Sequence, residues 1–215
     1  MVKIKTTKEL IKFLEDSKSQ FQNLGKEMME ADGGKMFPMD LFAMGIINRS
    51  LLLVTGFCTL IRSDNFLSAA PIIRLYLDTL LQFYACFIVE DPHGFSMKKL
   101  EGKQTNTLKD KDGNKMTDGH LASQISKEKE FEWVKNVYKE TSKFIHFSDK
   151  HIFSACTKIE GGGAVEFCLS EKMKVSDSAE REAVVVMIET TKGIFKYLCG
   201  WTHTKNNPHC IGKNK

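Results

Sequence analysis

The chain predicts a mainly α protein, an antiparallel helical bundle of about five helices with one β-hairpin before the last helix. Three observations lead there. Apolar residues recur at helical spacing through most of the 215 residues, Pro, Gly and Ser/Asp clusters punctuate those runs, and a single stretch alternates in the manner of strands. With 42% hydrophobic and 27% charged residues, the composition is that of one globular core, read as a single domain over 1–215.

The first helix covers residues 6–30, where Leu10, Ile11, Leu14, Phe21, Leu24 and Met28 share a face and Ala31-Asp32-Gly33-Gly34 supplies the stop. Pro38 opens a second helix over 40–62, apolar nearly all round and therefore covered on most sides. A third runs over 66–90 with Pro71 in its first turn or kinking it, and it ends at Asp91-Pro92-His93-Gly94.

From 95 to 127 the chain carries many charges and little apolar content, which predicts a solvated insertion. The fourth helix follows, with Phe131, Val134, Tyr138, Ser142 and Ile145 along one face. In HIFSACTKIEGGGAVEFCLS, a turn centred on Gly162 sets Lys158 opposite Glu166 and Cys156 opposite Cys168. Ser176-Asp177-Ser178 caps the last helix, about 178–201, and a frayed tail is expected over 203–215.

A net charge of +4 is too small to demand a nucleic-acid partner. Cys58, Cys86, Cys156, Cys168, Cys199 and Cys210 form no C-x-x-C pair, and MVKIKTTKEL lacks an apolar signal core. The expectation is free thiols and a cytoplasmic location. Residues 41–61 are long enough to span a bilayer, but Arg49 near the centre costs about 2.5–3.5 kcal/mol there, so a core helix and no membrane contact are expected.

The candidate site rests on two helices. Arg74 and Asp78 stand four residues apart on the third, and Tyr138, Ser142 and His146 project from successive turns of the fourth. Meeting inside an apolar bundle, they would form a polar pocket with an imidazole suited to proton transfer. Satisfying local backbone groups is the simpler role for the same side chains. Arg49 needs a partner in its apolar helix: an ion pair to Asp78 or Asp40, or a bound anion.

No metal or cofactor is expected. His203, His209 and Cys210 lack paired ligand spacing. Gly161-Gly162-Gly163 lacks the following Lys-Ser/Thr of a phosphate loop, and the calcium-like run Asp110–Asn114 meets Leu121 at its closing position. The lysines 98, 99, 103, 109, 111 and 115 sit among acids and read as surface, with RNA contact as the functional alternative.

RLYLDTLLQFY (74–84) followed by VYKETSKFIHFS (137–148) resembles a family of bacterial helical proteins that pair R-x-x-x-E/D with a later Y-x-x-x-S-x-x-x-H. That family is distantly similar to the HEPN bundles, many of them metal-independent ribonucleases or defence and toxin components. The resemblance covers about half the chain. It implies His146 as proton carrier and an arginine as phosphate stabiliser. The HEPN R-x(4–6)-H signature is missing its arginine here, Lys143 being the nearest base, so Arg74 or Arg49 would have to supply the guanidinium. Two readings follow. One is a HEPN-like metal-independent ribonuclease with Arg74, Asp78, Tyr138 and His146 catalytic and Ser142 and Arg49 binding. The other is a non-catalytic binding or oligomerisation module with a pocket for a small anion or nucleotide. Both expect a homo-oligomer, with RNA or a nucleotide as partner.

Overall fold

The computed structural model describes residues 6–145, 151–152, 155–159, 165–167, 169–173 and 175–207. The protein is mainly α. Helix α1 is Thr7–Glu30, α2 Pro38–Arg62, α3 Phe66–Tyr84, α4 Pro92–Leu100, α5 Asp118–Ile125, α6 Val134–Thr141 and α7 Asp177–Asn206. Strand β1 is Cys156–Ile159 and β2 is Val165–Phe167.

Local chemistry fixes the ends of the long helices. Thr6 and Glu9 form a reciprocal capping box that opens α1, and Asp32 and Gly33, both in left-handed backbone, end it. Pro38 starts α2, and the Asp40 carboxylate accepts the Phe37 N–H at 2.8 Å. Asn65 and Ser176 cap α3 and α7 through the amides of Ser68 and Ala179. Pro71 lies inside α3, where it removes the donor that the Leu67 carbonyl would otherwise take.

The four long helices form the core. α1 packs on α2 and α7, and α3 packs on the same two. Leu14, Phe21 and Met28 of α1 meet Val54 and Phe57 of α2, Leu77 and Leu80 of α3, and Val184, Met187 and Leu198 of α7 in one fully buried cluster. Each such side chain contributes about 1.5–3 kcal/mol by leaving water. One polar contact crosses the middle: the Tyr76 and Thr191 hydroxyls lie 2.8 Å apart.

The sequence expectations need four corrections. The 95–127 segment is solvated only in part: residues 101–115 are mostly exposed, but it carries most of α4, and α5, and sends Phe95, Met116, Leu121 and Ile125 into the core. Single apolar anchors suffice there, without a periodic stripe. The fourth expected helix is broken into the 3-10 turns Lys129–Phe131 and Ser142–Phe144 around the short α6. Lys196 of α7 binds the carboxylates of Glu128 and Glu130, and the Trp133 indole donates to the Glu130 carbonyl at 3.0 Å. These bonds accompany the departure of residues 128–133 from a continuous α-helix.

The tail is also more ordered than expected. Helix α7 runs to Asn206, whose side-chain carbonyl accepts the Asp32 N–H at 2.9 Å, and Lys205 is buried; 208–215 lie outside the described residues. Finally, β1 and β2 pair antiparallel with Lys158 opposite Glu166, but an irregularity between Cys156 and Lys158 puts Phe167, not Cys168, opposite Cys156. The expected turn at Gly161–Gly163 and Cys168 itself lie outside the described residues.

Candidate functional site

Three of the expected site residues meet. Arg74 and Asp78 form an ion pair one turn apart on α3, and Tyr138 of α6 lays its ring over the Arg74 guanidinium, 4.0 Å from the ring centroid. A second carboxylate, Asp118 in the first turn of α5, lies 3.6 Å from the same guanidinium. The Arg74 side chain is 9% exposed, so its charge is compensated inside the protein by two carboxylates and an aromatic face. Ser142 does not join them: its hydroxyl donates to the Tyr138 carbonyl at 2.7 Å, the local backbone role. His146 lies outside the described residues.

Arg49 takes neither expected ion pair. Its Nε donates to Thr79 Oγ1 of α3 at 3.0 Å. Asp40 is engaged elsewhere, accepting from the Trp201 indole at 2.7 Å and from Lys205 at 3.0 Å, with both members of the Asp40–Lys205 pair sealed from solvent.

The bond to Thr79 sets Arg49 in the wall of an open cleft of about 340 Å³ between α2, α3 and α4. Leu41, Phe42 and Ile46 of α2 and Leu100 of α4 supply its apolar surface. Arg49, Asp78, Thr79, Gln82 and Lys99 supply its polar groups. The size and the mixture of apolar walls with few polar groups fall in the range of small-molecule sites, about 300–1,000 Å³. Asp78 joins the cleft to the Arg74 network. Partial burial lowers the Lys99 ammonium below its ordinary 10.5, with Asp118 opposing that shift, and its Nζ donates to the Lys103 carbonyl at 3.0 Å.

Gln82, Lys99 and Gly45 are members of this cleft that the sequence reading missed. Two of them depend on where α4 docks, which has no local signature. The third had one: a glycine inside an apolar helix, one turn before the arginine at its middle.

Other groups carry less. Burial pushes the Cys58 thiol up to about 11 and the Cys86 thiol to about 12, so both are inert at neutral pH. Among the described residues no cluster of His, Cys, Asp and Glu could hold a metal ion. The calcium-like loop is filled by its own backbone: Asp110 Oδ1 accepts the amides of Asp112 and Asn114, and its Oδ2 meets His120 Nε2 at 2.7 Å. Helix α2 is long and apolar enough to cross a membrane by length and composition, as the core helix of a globular protein also is.

Comparison with family models, with curated proteins and with solved structures gives no match to this chain.

Proposed function

We propose that this chain is a HEPN-like helical binding protein whose α2–α3–α4 cleft holds a small anionic ligand without turning it over. One observation carries this reading. Of the two arginines, Arg74 is spent on Asp78, Asp118 and Tyr138, whereas Arg49 keeps only its Nε occupied, by a neutral hydroxyl, and stands at an open cleft beside Lys99. A guanidinium already neutralised inside the protein contributes little to an incoming phosphate; one facing solvent from an apolar wall binds anions well.

The test is titration with inorganic phosphate, carboxylates and nucleotides, read by calorimetry and thermal shift. One saturable anion site is expected, weakened about tenfold or more in Arg49→Gln, as loss of a charged hydrogen bond worth about 1.5–3 kcal/mol predicts. A ligand held equally well by that variant overturns the reading.

The meeting of Arg74, Asp78 and Tyr138 favours a second reading, a metal-independent ribonuclease. It requires RNA cleavage by the wild type that disappears in His146→Ala with the fold intact. RNA left uncut by the wild type removes it.

A further inference from the structure

We infer that the exposed face of α2 docks a second copy of this chain, antiparallel, with Asn48 of each copy on the two-fold axis. The inference goes beyond the anion-binding reading and does not rest on it.

Helix α2 carries a single charge, Arg49, between Asp40 and Arg62, yet only 39% of its most apolar 18-residue stretch is buried. Helices α1, α3, α4 and α7 cover its other sides. What stays uncovered is Leu41, Met44, Asn48, Leu52 and Thr55, spaced to share one face. Arg49 leans off this crest to bond Thr79 of α3. In the antiparallel α2–α3 contact Gly56 stands beside Ile72 and Arg49 beside Thr79, which brings Leu75 of α3 next to Leu52. Leu100 of α4 lines the same cleft as Leu41. The exposed side chains therefore form one continuous patch.

Area and register both fit a second copy. Leu41, Met44, Leu52, Leu75 and Leu100 are 37–66% exposed and, at about 200 Å² for a fully exposed residue of that size, present about 500 Å² of apolar surface, near the top of what a monomer shows in one patch. A homodimer interface of about 800 Å² per copy, about 65% of it apolar, needs about 520 Å². Asn48 lies midway along the crest, with Met44 and Leu52 four residues to either side and Leu41 and Thr55 seven. A two-fold axis through Asn48 thus sets Met44 of one copy against Leu52 of the other. Among the described residues the Asn48 amide makes no side-chain hydrogen bond. An amide donates and accepts, so it satisfies its own image across the axis. A lipid bilayer would leave it unsatisfied.

The experiment measures the mass of the full chain by sedimentation and light scattering over a range of concentrations, without added anion. The wild type is expected to dimerise. Leu52→Glu, at a position 66% exposed and so compatible with the fold, should weaken the dimer about tenfold or more. Asn48→Asp and Asn48→Lys, each placing like charges together on the axis, should each weaken self-association about tenfold or more. Mixing the two variants should restore association to within about threefold of the wild type, because Asp then faces Lys.

A wild type that stays monomeric throughout overturns the inference, as does a dimer that Leu52→Glu leaves intact. An Asn48 mixture that associates no better than its components overturns the two-fold register. Wild type that floats with phosphatidylcholine vesicles instead of dimerising assigns the face to a bilayer and overturns the second copy.

Discussion

The Asp40–Lys205 pair and the Arg74 network both place opposite charges away from water, and they differ in what they touch. Asp40 and Lys205 are each 0% exposed, and their remaining hydrogen bonds go to Phe37, Trp201 and the Met28 carbonyl. Arg74 is 9% exposed, but its partners Asp78 and Asp118 are 26% and 44% exposed, and Asp78 opens onto the cleft. The first is closed on itself and can only hold α1, α2 and α7 together. The second trades some of that rigidity for a polar edge that a ligand can reach. Burial of a charged pair therefore does not mark a site; a member that also borders solvent does.

The sharpest way to break this contrast is at the sealed end. Lys205→Met leaves the Asp40 carboxylate buried with only the Phe37 amide and the Trp201 indole as neutral partners, and a loss of about 3–5 kcal/mol in urea unfolding is expected. Replacing both members with apolar residues should recover most of it. Arg74→Met tests the open arrangement, where water reaches both orphaned carboxylates, and a smaller loss of about 1–3 kcal/mol is expected by the same measurement. Equal losses at the two places would erase the distinction.

The smallest effect is a matter of pH. Burial pushes the Asp110 carboxyl up, but the Asn114 amide and the His120 ring outweigh it and hold it below its ordinary 3.8. Its contribution is therefore present above that value and is lost as acid carries the pH down through the folded one. His120→Ala should flatten this acid limb of the stability curve while leaving its neutral portion nearly level. An unchanged limb would mean that the backbone amides alone hold the carboxylate.

Much of the architecture was legible because it is local. Ile11, Leu14, Phe21 and Met28 mark α1 by spacing, and Arg74 and Asp78 pair simply by standing one turn apart. The docking of Tyr138 on Arg74 followed from reading two polar rows as one network. What the sequence hid depends on distant partners. Nothing near Glu128 or Glu130 announces that Lys196 will claim both carboxylates and interrupt a helix. Nothing near residues 95–127 distinguishes a loose loop from one pinned by Phe95, Met116 and Leu121, because isolated anchors leave no periodicity. The cleft was missed for the same reason: its walls come from three helices, and only Arg49 and Gly45 of the apolar α2 stood out in their own surroundings.

The bond between Asp40 and Lys205 spans 165 positions of the chain. The carboxylate is made well before its ammonium, so a polypeptide interrupted between the two keeps an unanswered charge at the start of α2. Losing the stretch that carries Lys205 is therefore felt deep in the interior, far along the chain from the cut.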